Sequence, residues 1–159
     1  MEYLSELVDL TRRLRRECPW DREQTHASLG THLIEESYEV IDAIEGGRAD
    51  RLCDELGDLL LQVLFHANIA EERGEFTLAD VARTLSGKLI ARHPHIFADT
   101  SVSGADQVKE NWEKLKMREG RESVLDGLPS RLPALLLAKR VQEKASASGF
   151  DWEHGEEVW

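Results

Sequence analysis

Two cysteines in 159 residues exclude a disulfide framework, and neither Cys18 nor Cys53 lies in a C-x-x-C pattern. They read as reduced cytosolic thiols, with Cys53 expected to pack in the core. No long apolar run is present either: the longest, around Leu59 to Ala70, is broken by Gln62, His66 and Asn68, so no membrane-crossing helix is expected. No basic-then-apolar N-terminal leader is visible, and the expected location is cytoplasmic. Positive charge is scarce: 20 Lys and Arg against 31 Asp and Glu give a formal net charge of −11. Such a chain is repelled at long range by nucleic-acid backbones and anionic membranes, so neither is expected as a partner. A polyanionic small molecule stays open if metal ions invert the local charge. Alternation of the kind a strand needs is also absent, which leaves an all-α domain.

What is abundant is helical periodicity. Leu4, Leu7, Val8, Leu10 and Leu14 recur at helical spacing, and Cys18-Pro19-Trp20-Asp21 then interrupts as a loop. The pattern predicts further helices over Ala27 to Ile44, Ala49 to Glu72, Leu78 to Arg92, Asp106 to Arg118 and Ala134 to Ala147. Gly46-Gly47, Gly74 and Pro94 supply the stops, and Thr77 with Asp80 supplies an N-cap. Gly120, Gly127, Pro129 and Pro133 mark a composition shift, which divides a domain at 1–119 from a linker, helix and extension at 120–159.

Five carboxylates stand out: Glu35-Glu36-x-x-Glu39 on the second long helix and Glu55-x-x-Asp58 on the third. At about 100° per residue the first three share one face, while Leu33, Ile34, Tyr38, Val40, Ile41 and Ile44 form the opposite half, expected to pack. Glu55 and Asp58 sit on a narrow polar strip of a helix that is apolar nearly all round. A carboxylate out of water needs a partner or takes up a proton, and Arg48 and Arg51 lie only at that helix's start. A divalent cation is one solution; a solvated acidic face is the bland alternative for the first group.

Facing i, i+3 carboxylates are how bundle helices hold paired divalent ions, and all-oxygen ligation suits Mg²⁺ or Mn²⁺. Glu-x-x-His is absent, which disfavours di-iron oxidase chemistry. His66 lies about 12 Å beyond Asp58 on the strip and reads as a polar core histidine. Lys88 and Arg92, then Lys114, Lys116 and Arg118, could grip phosphates or serve salt bridges. Trp112 could stack on a base or pack, and Trp20 reads as support for the active-site wall or as packing for the first loop, with packing the expected role. His93 and His95 read equally as loop-ordering residues or as catalysts.

The motifs Cys18-Pro19-Trp20-Asp21, Gln24-Thr25, Glu35-Glu36-x-x-Glu39, Glu55-Leu56-Gly57-Asp58 and Arg92-His93-Pro94-His95-Ile96-Phe97 occur together. In that combination the chain resembles the MazG nucleoside triphosphate pyrophosphohydrolases. The resemblance implies an all-α bundle completed by dimerisation, and Mg²⁺-dependent cleavage of nucleoside triphosphates to monophosphate and pyrophosphate. It implies Glu36, Glu39, Glu55 and Asp58 as metal ligands and Glu35 as a supporting carboxylate or the group orienting the attacking water. It also implies Lys88, Arg92, Trp112 and Lys116 as substrate-binding residues. Gly149-Phe150-Asp151-Trp152 resembles the lead-in to a second copy of the domain. A catalytically silent nucleotide- or metal-binding copy of a tandem protein is therefore the alternative function, and a relative acting on phosphoribosyl-ATP or on one pyrimidine triphosphate is a third.

Overall fold

The computed structural model describes residues 2–98, 100–105, 107–108, 111–112, 115 and 123–150, and among them no strand occurs. The helices with described bounds are α1 (Glu2–Glu17), α2 (Pro19–Glu23), α3 (His26–Glu45), α4 (Ala49–Glu72), α5 (Leu78–Arg92), α6 (Pro94–Phe97) and α7 (Ala134–Ala147). Two compact units divide the chain, Met1–Leu85 and Ser86–Trp159.

Within the first unit, α3 and α4 form an antiparallel pair, and α1 packs on α2 and α4. The turn between α3 and α4 follows from Gly46-Gly47: Gly46 N–H donates to Asp42 O at 2.8 Å, and Gly47 takes φ +66, a left-handed conformation that glycine adopts without a Cβ penalty. Thr25 opens α3 through a reciprocal cap, its Oγ1 accepting from Ser28 N–H at 3.1 Å while Ser28 Oγ accepts from Thr25 N–H at 2.9 Å. The Thr77 and Asp80 cap of α5 forms as expected, with Thr77 N–H donating to Asp80 Oδ2 at 3.0 Å and Asp80 N–H donating to Thr77 Oγ1 at 3.3 Å. Leu29 of α3 meets Phe65 and Ile69 of α4 in the core, with Leu61 packed against them. Each such side chain contributes about 1.5–3 kcal/mol by leaving water.

A buried arginine ties α1 to the rest. Arg15 is 6% exposed; its Nε and Nη2 donate to the Glu72 carboxylate at 2.9 and 2.6 Å, and its Nη1 donates to the carbonyls of Asp21 and Gln24. Each of its three nitrogens thereby donates to oxygen, the condition under which a guanidinium tolerates burial. Asn68 Nδ2 donates to Thr11 Oγ1 at 3.2 Å in the same interface.

Several expectations require correction. Cys18-Pro19-Trp20-Asp21 is not a plain loop, since proline at N1 starts the short helix α2. Cys53 is exposed rather than in the core. The apolar half of α3 is covered only in part among the described residues: Val40 is buried and Leu33 half-buried, whereas Ile34, Tyr38, Ile41 and Ile44 are exposed. On α4, Leu56 and Val63 are exposed as well, so that helix is not enclosed on nearly every side. Periodicity identifies which face is apolar, but not whether another element reaches it. Of the helix expected at 106–118, residues 107, 108, 111, 112 and 115 are helical; the rest lies outside the described residues.

Candidate metal centre

The turn at Gly46-Gly47 reverses the chain so that the C-terminal half of α3 lies beside the first turns of α4. Glu36, Glu39 and Glu55 each offer a carboxylate oxygen, and these oxygens lie within 4.8 Å of one another. Glu55 is the buried member at 8% exposure. Asp58, expected to be the enclosed carboxylate, is exposed instead, though near enough to Glu36 to act on it electrostatically. Glu55 also has a cation, as Arg51 Nε donates to its Oε1 at 3.1 Å. One i, i+4 arginine therefore reaches the group, which the expectation that arginines stay at the helix start did not foresee.

The electrostatics are those of an overcrowded anionic site. Glu36 is held above the ordinary carboxylate range, first by burial and then by the charges of Asp58 and Glu55. Glu39 is raised chiefly by its side-chain hydrogen bond to Glu55 and then by that residue's charge. A hard divalent cation fits this donor set: the ligands are all carboxylate oxygens, and a positive charge among them relieves the repulsion. Glu35 and Asp58 stand outside the close trio. Glu35 is exposed and lies 3.3 Å from His32 Nδ1.

The polar strip of α4 continues beyond the carboxylates. Gln62 is 6% exposed, and its Oε1 and the Nε2 of His66 are buried with no hydrogen-bond partner among the described residues. His66 Nδ1 lies 2.7 Å from His26 Nδ1, the rings parallel to within 3°, and its pKa is lowered first by burial and then by His26. His66 thus matches the reading of a polar interior histidine, with His26 as a partner that spacing alone does not reveal.

Lys88, Arg92 and Trp112 belong to the second unit. Lys88 is exposed. The Arg92 guanidinium sits 5.5 Å from the Trp112 ring centroid, a cation–π arrangement, and the His93 ring meets the same indole at 4.8 Å, edge to face. His93 Nδ1 donates to Leu89 O at 2.6 Å, since a carbonyl can only accept. His93 and His95 lie 5.6 Å apart, ring to ring. Lys116 lies outside the described residues. Trp20 is less enclosed than a packing residue would be: it is 54% exposed, and its ring meets that of His32 edge to face at 6.1 Å.

Residues 24–97 match the family model of the MazG nucleotide pyrophosphohydrolase domain. The nucleoside triphosphate pyrophosphohydrolase/pyrophosphatase MazG of Thermotoga maritima is 48% identical over 159 residues, covering 97% of this chain and 61% of that protein. The nucleoside triphosphate pyrophosphohydrolase of Escherichia coli K12 is 43% identical over 159 residues, covering 96% and 60%. The Mycobacterium tuberculosis protein of the same name is 47% identical over 152 residues, covering 94% and 46%. The chain thus spans about three fifths of the length of the first two relatives. Among solved structures, a mazG-related protein from Thermotoga maritima superposes with a TM-score of 0.61 at 25% identity, covering 74% of this chain and 99% of that one.

Proposed function

This chain belongs to the MazG family, and from that premise we propose that it hydrolyses ribo- and deoxyribonucleoside triphosphates to the monophosphate and pyrophosphate. The observation that carries the proposal is the close trio of Glu36, Glu39 and Glu55 with its like-charge crowding. Such a group is poorly accounted for by stability and well accounted for by a cation. Glu36, Glu39, Glu55 and Asp58 would hold Mg²⁺, with Mn²⁺ a substitute. When bound, the ion neutralises phosphate charge and lowers the pKa of a coordinated water.

The chain's own residues do the rest. Glu35 orients the attacking water. The water oxygen bonds to phosphorus as the α–β bridging P–O bond breaks; pyrophosphate leaves with the bridging oxygen, and the water proton passes to a carboxylate or to solvent. Lys88, Arg92 and Lys116 hold phosphate oxygens, and Trp112 approaches the nucleoside. Residues 1–119 form the catalytic domain, with 120–159 a linker, helix and extension leading toward a second copy. The activity belongs to the cytoplasm, where it clears unwanted nucleotides.

A second copy of the chain covers the exposed part of the apolar half of α3, where Ile34 and Ile44 are each 59% exposed. An apolar patch of that kind marks an interface more often than a free surface, and a homodimer completes the bundle. Sedimentation of wild type against Ile44→Glu tests this: a dimer that the variant reduces to monomer is expected, and a wild-type monomer refutes it.

The function is tested by pyrophosphate release from a panel of triphosphates with Asp58→Asn beside wild type. Metal-dependent release lost in the variant is expected. Nucleotide binding without release in the wild type would instead mark a catalytically silent copy.

A further inference from the structure

We propose that Arg51 serves the carboxylate site in two positions: on Glu55 while no cation is bound there, and on the departing pyrophosphate portion of the substrate once the site is loaded. The inference rests on reading the carboxylate group as a site of triphosphate hydrolysis and names a residue that grips the phosphate chain there.

The first observation is a guanidinium that is only partly engaged. Two arginines stand at the start of α4, and they are held differently. Arg48 grips both oxygens of Asp50, through Nε at 3.3 Å and Nη2 at 2.6 Å. Arg51 donates through Nε alone, to Glu55 Oε1 at 3.1 Å, and its side chain is 50% exposed. Neither terminal nitrogen of Arg51 has a partner among the described residues, so the planar fork of N–H donors is open to a further anion.

The second observation is where that fork stands. Glu55 belongs to the trio whose carboxylate oxygens lie within 4.8 Å of one another, and Arg51 precedes it by one turn, about 6 Å along the helix axis. The Arg51 charge also acts on Glu39, opposing the neighbouring acids that raise its pKa. Arg51 is therefore beside two of the three carboxylates rather than remote from them.

The two positions follow from competition. With its side chain half in water, Arg51 forms a screened and weakly held pair. A divalent ion among the trio claims the same Glu55 carboxylate and repels the guanidinium by like charge. An arginine fork released at the rim matches two oxygens of a phosphate. The phosphorus under attack lies against the carboxylates, so the phosphates beyond it extend outward, within reach of a half-exposed side chain. Negative charge grows on the departing pyrophosphate as the bridging bond breaks, and a guanidinium placed there stabilises it most at that moment.

The experiment uses the full chain, Arg51→Gln and Arg51→Lys, with binding followed by titration calorimetry. The probes are Mg²⁺ alone and, at saturating Mg²⁺, pyrophosphate and a nucleoside monophosphate. Arg51→Gln is expected to bind Mg²⁺ alone about two- to fivefold more tightly, the worth of an exposed ion pair no longer competing for Glu55. It is expected to bind pyrophosphate about tenfold or more weakly, as for a lost hydrogen bond between charged groups, and the monophosphate as wild type does. Arg51→Lys keeps the charge without the fork and falls between the two on pyrophosphate. Unchanged pyrophosphate affinity overturns the proposal, and so does equal weakening of pyrophosphate and monophosphate. Unchanged or weaker Mg²⁺ binding by Arg51→Gln overturns it as well, since that marks an arginine that merely holds Glu55 in place. A wild type that releases no pyrophosphate from triphosphates fails the reading of function alone, because these binding comparisons still decide the role of Arg51. A wild type that binds no pyrophosphate overturns the proposal outright.

Discussion

The two ends of α4 each present acids to a neighbouring helix and resolve them in opposite ways. At the C-terminal end, Glu72 faces Arg15 at 2.6 Å and Glu71 faces Arg12 at 3.1 Å, both from α1. At the N-terminal end, Glu55 faces Glu36 and Glu39 from α3, with Arg51 from its own helix as an ion-pair partner. The first arrangement is electrostatically satisfied and holds the fold. The second concentrates negative charge and makes sense once a cation or a triphosphate–cation complex enters. The same residue type on the same helix is thus structural or functional according to what faces it.

The largest expected effect breaks the functional end. Glu55→Gln keeps the side-chain volume but removes the buried charge, and pyrophosphate release is expected to fall by about 100-fold or more, on the scale of losing one electrostatic group in a catalytic site. Steady-state assays at saturating Mg²⁺ check this, and retention of more than a tenth of the activity removes Glu55 from the site.

Next comes the structural end. Arg15→Ala strands the Glu72 carboxylate and two carbonyls, and is expected to cost about 3 kcal/mol of stability, the lower end of the range for a broken buried pair because Glu72 is half exposed. Urea denaturation measures it. A loss under about 1 kcal/mol would show that water replaces the guanidinium easily.

A smaller effect sets the two ends against each other in pH. The folded-state pKa values of Glu36 and Glu39 are raised, so their contribution is present at and below the ordinary carboxylate range and is lost as pH rises through the raised values. That of Glu72 is lowered, with the Arg15 hydrogen bond as the main cause, so its contribution is present above the ordinary range and is lost as pH falls through the lowered value. In metal-free protein, a Glu36→Gln/Glu39→Gln variant is expected to gain stability relative to wild type as pH rises from 4 toward 7 or so, whereas Glu72→Gln loses ground over the same interval. Adding Mg²⁺ raises the melting temperature of wild type alone. Parallel pH profiles for the two variants would erase the distinction between the ends.

Much of this was legible in the chain itself. The bounds of α4, α5 and α7 coincide with those expected from Gly46-Gly47, Gly74, Pro94 and Pro133, because backbone punctuation acts locally. The carboxylate face of α3 and the strip of α4 followed from helical period. What failed depends on cover: Cys53, Trp20, Asp58 and three isoleucines of α3 are exposed, and period alone does not say which part of an apolar face finds a neighbour. Pairings across long separations were equally invisible, such as Arg15 with Glu72 at 57 residues and His26 with His66 at 40. Nothing in local sequence distinguishes an arginine that will be buried from one that will be solvated.

The measurement that tests the account most directly is pyrophosphate release by wild type and Glu39→Gln, side by side, with Mg²⁺ and with a chelator. The account predicts release from wild type with Mg²⁺ only. Release that survives the chelator, or that Glu39→Gln matches, contradicts it.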